Sequence, residues 1–275
     1  MQHRTLILGK VLRLALLLVF AIACHVEAAD KPQAILLTKD TLTSPKHSAV
    51  IEARLSMAVP RTGVSLAGEP LELLQGSTVV ASAVTEEGGR ALFHFAHKLR
   101  GNVTLTVRTA DRSSVSSRNT VTMASWEPRT PILMVEMTSL FDDPAAMQPL
   151  PDAADELAKL TQFYYHAIYV VTEESGKGDA FQAADRARRW LSSHKFPLGY
   201  VLVVPPSGDA FGKKLDELRD AGWTTIKIGV GRSKSFAEAF VQRRLEAVTV
   251  PEPSKSETAR KAKIAKEWKD VRKHF

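Results

Sequence analysis

The chain has 275 residues, a formal charge of +7 and 44% hydrophobic residues, which is the composition of an ordinary globular protein with room for one or two domains. Its one cysteine, Cys24, excludes a disulfide framework, so the core must hold the fold together unaided. A mildly basic chain with no recognisable nucleic-acid module also argues against nucleic acid as a partner.

Arg4, Lys10 and Arg13 precede the apolar run Leu14–Ala23, and a small-residue Val26-x-Ala28 pattern follows. This order predicts a secretory signal over residues 1–28 and an exported, periplasmic or secreted protein. Two alternatives stay open. One is an uncleaved anchor, for which the run is short. The other is lipidation of Cys24 in "FAIAC", a lipobox-like string with Ala21 where leucine is usual. Cleavage after Ala28 removes three bases and Glu27, leaving a charge of about +5, compatible with anionic lipid or envelope surfaces.

Residues 33–125 read as short strands. Val50–Leu55, Thr78–Thr85, Ala91–Phe95 and Val103–Arg108 alternate apolar and polar residues. Turn chemistry separates them at Thr62-Gly63, Gly68-Glu69-Pro70, Glu87-Gly88-Gly89 and Arg100-Gly101-Asn102. The pattern predicts a β-sandwich. Within it, "AGEPLELLQGSTVVASAVTEEGGRALFHF" resembles bacterial Ig-like domains of the invasin type, with Thr85, Gly88 and Ala91 carrying the match. His94 and His97 do not read as a metal pair, because residues three apart on a strand face opposite sides.

Residues 126–131 form a linker, after which the period changes. Apolar runs at 132–137, 167–171, 199–204, 225–230 and 247–250 alternate with amphipathic segments at 152–163, 181–194, 211–220 and 235–244. That alternation predicts βαβ units and a mainly parallel sheet over 132–253. Ligands of such sheets bind beyond the carboxyl ends of the strands, here 135–143, 172–178, 205–214 and 231–236. Residues 254–275 carry many bases and few apolar residues, and are expected to be a basic helix or disordered tail, solvated on all sides. Membrane attachment through a basic helix is the alternative.

Four stretches in order carry a resemblance. "PILMVEMTSLF" sits at a first strand; "IYVVTEES" through "LVVPPS" follows; "FGKKLDELRD" is a lysine-bearing helix; "IKIGVGRSKSFAEAF" comes last. Together they resemble a haloacid-dehalogenase-like (HAD-like, Rossmannoid) phosphohydrolase domain, most similar to the lipin/LNS2 branch, which acts on or binds phosphatidic acid. The resemblance implies a nucleophile at Val135, an acid/base at Met137, a second-motif hydroxyl at Thr172, a phosphate-binding lysine at Lys214, and fourth-motif acids at Arg232 and Phe236. The expected aspartates are therefore replaced by apolar or basic residues. Valine cannot attack phosphorus, and Val135 with Met137 offers no hard-cation ligand. Glu136, one residue off, faces the other side of the strand and needs a bulge to substitute.

The resulting expectation is an N-terminal all-β Ig-like sandwich plus a C-terminal α/β HAD-like parallel sheet without conventional catalysis. Thr172, Lys214, Arg232 and Ser233 are the candidate phosphate-binding residues, with no cofactor or metal. The implied role is binding or scaffolding at the envelope, with an anionic lipid, a phosphorylated ligand or an envelope protein as partner. The rival is a divergent phosphatidate-type phosphatase that uses Asp142 or Asp143 with Mg²⁺.

Overall fold

Period-two alternation builds the first half. The computed structural model describes residues 31–57, 64–143, 147–173, 179–206 and 209–275. The signal segment with Cys24 and the Thr62-Gly63 turn lie outside the described residues. A three-stranded sheet has the order β1-β3-β6 and a five-stranded sheet the order β2-β8-β7-β4-β5. Their ranges are β1 Ala34–Lys39, β2 Thr41–Thr43, β3 Ala49–Met57, β4 Pro70–Gln75, β5 Thr78–Val84, β6 Arg90–Phe95, β7 Gly101–Thr109 and β8 Arg118–Ser125. Ile51, Ala53 and Leu55 of β3, and Ala91 and Phe93 of β6, turn inward against Leu71, Leu73, Leu105, Val107 and Val121 of the other sheet. Two sheets that face each other across one apolar core make a β-sandwich. Gly89, at positive φ, brings the chain so close to β3 that a Cβ would lie 2.2 Å from the Leu55 carbonyl oxygen, which only glycine tolerates.

The chain changes sheets between β1 and β2. β1 pairs antiparallel with β3, whereas β2 pairs parallel with β8. Asp40 stands at that crossing, and its carboxylate is buried. Oδ1 accepts from Thr122 N at 2.9 Å and from Arg188 Nη1 at 2.7 Å, and Oδ2 accepts from Val201 N at 3.0 Å. Arg188 also donates from Nη2 to the Thr38 carbonyl oxygen at 3.0 Å. One buried ion pair thus joins the sandwich to the second half.

That half is a six-stranded, all-parallel sheet of order β11-β10-β9-β12-β13-β14. Its strands are β9 Ile132–Glu136, β10 His166–Thr172, β11 Tyr200–Val204, β12 Ile226–Gly231, β13 Glu246–Thr249 and β14 Lys263–Ile264. The helices are α1 Ala153–Phe163, α2 Ala180–Ser193, α3 Ala210–Asp220, α4 Lys234–Gln242 and the short α5 Trp268–Val271. Leu133 and Val135 pack with α1, α2 and α5 on one face. Ile132 and Met134 pack with α3 and α4 on the other. The order reverses at β9, where β10 lies on one side and β12 on the other, which defines a topological switch point.

Trp126, in the segment read as a linker, belongs to the core. It stacks on His166 at 4.7 Å, meets Trp223 edge-on, and donates from Nε1 to Asn102 Oδ1 at 2.9 Å. Residues Gln33–Phe275 form one compact unit.

The reading of residues 254–275 as a solvated helix or tail is corrected by the structure. β14 pairs in parallel with β13, and Ala265 N donates to the Thr249 carbonyl oxygen at 3.0 Å. Ala259, Ala265, Trp268 and Val271 are all buried, and Trp268 Nε1 donates to the Ser139 carbonyl oxygen at 2.9 Å. The few apolar residues are too sparse for a helical stripe, but each fills a separate gap in an existing core. Ion pairs from Arg272 to Glu156 and from Lys269 to Asp152 fasten the segment to the start of α1.

Asp40→Ala strands a buried guanidinium and two amides, so unfolding by denaturant should show a loss of about 3–5 kcal/mol. Burial, the largest influence, raises the Asp40 pKa above its ordinary 3.8, and Arg188 with the amides of Thr122 and Val201 only partly opposes it. A carboxyl raised in this way favours folding most at low pH and less as pH climbs through its folded pKa. Asp40→Asn should therefore remove that decline from a plot of stability against pH. Glu156 has the opposite sign. Burial works against its ionisation, but Lys159 and Arg272 outweigh it and hold the carboxyl below its ordinary 4.5. Its contribution is complete above 4.5 and is lost as pH falls through the depressed value. Glu156→Gln should flatten the acid side of a melting-temperature profile.

Candidate functional site

β9 is buried from end to end, as a central parallel strand covered on both faces must be. It nevertheless ends in a carboxylate, Glu136, which is 7% exposed. A charge in such a place needs strong hydrogen-bond donors, and the turn between β12 and α4 supplies them. Glu136 Oε2 accepts from Arg232 N at 2.7 Å and Ser233 N at 2.8 Å, and Oε1 accepts from Ser233 Oγ at 2.5 Å. Ser233 is also the N-cap of α4, and its Oγ accepts from Phe236 N at 3.2 Å. The carboxylate therefore sits on a helix N-terminus, where exposed amides and the helix dipole favour an anion.

Gly231 makes the close approach possible. A Cβ there would lie 2.3 Å from Phe236 Cδ1 and 2.9 Å from Glu136 Oε2. Phe236 cannot step aside easily, because it is buried and stacked on Phe211 at 4.7 Å.

The other residues singled out in the sequence are scattered. Val135 and Met137 are buried in the core beneath α1, α2 and α5, on the face opposite Glu136. The alternation that separates Glu136 from Val135 holds, and no bulge brings the carboxylate to the valine's side. Arg232 turns its guanidinium onto the loop after β9, donating to the carbonyl oxygens of Phe141 and Asp142 at 3.0 Å each. Asp142 is exposed in that loop, with Asp143 beside it. Lys214 pairs with Glu217 at 2.7 Å on the exposed side of α3. Thr172 and Ser233 do come together, on the wall of a cleft of about 400 Å³ that also takes in Glu136, Asp209, Phe211 and Glu238. The charged groups lining it are all acidic, and neither Lys214 nor Arg232 reaches it. The four expected phosphate-binding residues thus do not converge on one point.

A hard divalent cation does not fit the implied metal positions. Val135, Met137, Arg232 and Phe236 provide no oxygen ligand from their side chains.

Glu136 is the residue whose role the sequence reading missed. One signal was available, since a lone carboxylate in the otherwise apolar "ILMVEM" must meet donors if its strand is buried.

No family model and no curated protein matches the chain. Among solved structures, similarity is found to the D00-D0 domain of intimin, with 17% identity and a TM-score of 0.26 over 36% of this chain and 52% of that one. The human B7-H4 IgV-like domain gives 7% identity and a TM-score of 0.24, over 34% of this chain and 98% of that one. The Ig1-2 module of the Drosophila receptor protein tyrosine phosphatase DLAR gives 7% and 0.26, over 38% and 60%. Ig-like domains therefore stand among the structural neighbours, and the chain spans about half the length of the intimin fragment.

Replacing Glu136 by leucine leaves two amides and a hydroxyl without an acceptor. The expected loss of stability is about 3 kcal/mol or more, against about half that for Glu136→Gln, which keeps an acceptor oxygen. Denaturant unfolding of the two variants checks the order.

Proposed function

We propose that this chain is a non-catalytic binding or scaffolding module of the cell envelope, its second half a HAD-like sheet that has given up phosphoryl chemistry. The observation that carries the reading is the Glu136 carboxylate. It occupies the amides of Arg232 and Ser233 at the switch point, where a ligand anion would otherwise be held. Two further observations support it. The positions that correspond to the nucleophile and the acid/base are core residues with no polar group to offer. The cleft beside Glu136 is lined by acidic charge, which disfavours a phosphate dianion. A phosphorylated ligand is therefore not the partner favoured at this end of the sheet.

The finer reading of the sandwich, an invasin-type Ig-like domain, is part of the same proposal. Its matching residues have structural work to do. Thr85 is buried and its Oγ1 accepts from Glu69 N at 2.9 Å, Gly88 has positive φ, and Ala91 is buried in the core.

A phosphatase assay on a soluble phosphomonoester and on phosphatidic acid, with and without Mg²⁺, tests the proposal. No turnover is expected. Metal-dependent turnover abolished by Asp142→Asn or Asp143→Asn would establish the divergent enzyme instead. A companion experiment uses Glu136→Ala, which empties the cradle while keeping its donors. Inorganic phosphate should raise the melting temperature of that variant and leave the wild-type value unchanged.

A further inference from the structure

The amino ends of the parallel strands present a different surface from the acidic cleft at their carboxyl ends. Phe163 and Tyr164, where α1 ends, are 68% and 67% exposed, with ring centroids 6.2 Å apart. Leu198, just before β11, and Phe275 are 48% and 40% exposed. Two shallow clefts take in Leu198 and Phe275. One is lined by Thr161, Gln162, Tyr165, Lys195 and Leu198, and the other by Arg129, Tyr165, Lys227 and Phe275. Tyr165 belongs to both, and its ring lies 5.5 Å from that of Phe275.

The charges on this face that stand outside ion pairs are basic. Arg129, Lys195 and Lys227 are exposed, and among the described residues none of them is held in an ion pair. The acid nearest them in the second cleft, Glu246, is paired with Lys263 at 2.5 Å.

We infer that this face is a peripheral docking surface for an anionic lipid bilayer. Aromatic rings with one wet edge belong at the headgroup level, and unpaired lysine and arginine beside them are drawn to anionic lipid. The side chains project from strand and helix ends and do not line a deep groove, which suits a flat, deformable partner better than a peptide. No helix among the described residues is long and apolar enough to cross a membrane; the contact inferred for this face is one of lying on the surface. This inference rests on the reading of the chain as a binding module and names its partner.

Co-sedimentation of the full chain with vesicles tests it, using phosphatidylcholine alone and phosphatidylcholine with one-third phosphatidylglycerol. Preferential binding to the anionic vesicles is expected, weakened by salt. A Phe163→Ser/Tyr164→Ser variant and a Lys195→Glu/Lys227→Glu variant should each bind about tenfold less tightly. The apolar run Leu14–Ala23 is common to all three proteins, so differences between them report the face alone. All four replaced side chains are exposed, and unchanged melting temperatures would confirm intact folds. Equal binding by wild type and both variants would overturn the inference, as would capture of an acidic protein with no vesicle binding. The two readings fail separately, because phosphate-ester turnover sinks the non-catalytic one and leaves vesicle binding untouched.

Discussion

The arrangement of the whole molecule depends on one buried carboxylate. Asp40 stands where the chain leaves one sheet of the sandwich for the other, and its donors are divided between β8, β11 and α2. An apolar residue there would fill space, but it would leave the amides of Thr122 and Val201 unmet in a dry interface. The desolvation cost of the ion pair is offset by a geometry that accepts only one docking of the two halves. Around it, Asn119 donates to Asp185 of α2 at 3.0 Å, and Arg54 of β3 pairs with Asp179 at the start of α2. These contacts hold the sandwich against the edge of the parallel sheet.

A second carboxylate decides what the sheet can do. A strand-end acid beside a helix N-terminus is a common arrangement for binding phosphate through a metal, but here the acid and the amides bind each other. The same physics that attracts a ligand anion is met within the chain, with Ser233 shared between capping α4 and holding Glu136. Gly231 keeps the pair at hydrogen-bond distance, and the packed rings of Phe211 and Phe236 close the floor. The arrangement stabilises the fold at the point where such folds usually do chemistry.

Much of the second half was legible because periodicity dominates there. The segment expected over 181–194 is α2, Ala180–Ser193, and the run at 225–230 is β12, Ile226–Gly231. The sandwich was less legible. β2 has three residues, too short for a pattern, and β8 is covered on both faces where it meets the second half, so its alternation disappears into a buried run. β14 has only two residues and forms because β13 offers an edge, which no local signal announces. For the site, the face of Glu136 could be read from alternation, but its partners could not. The amides of Arg232 and Ser233 are main-chain donors, available at any helix start, and only the strand order brings that start beside β9.

Charge offers the clearest case of composition and surface parting company. The C-terminal segment holds the densest run of bases in the chain and reads as an arm for anionic membranes. Once folded, half of its eight lysines and arginines are answered: Lys263 by Glu246, Lys269 by Asp152, Arg272 by Glu156 and Lys273 by Asp270. Such pairs, mostly exposed, add little stability, but they lower the local field that a lipid surface would meet. Arg129, Lys195 and Lys227 are far apart in sequence and form no run, yet the parallel topology gathers them at one end of the sheet beside exposed aromatic rings. What a membrane senses is unpaired charge within about a Debye length, so Arg129, Lys195 and Lys227 count together at that end of the sheet although no run in the sequence announces them.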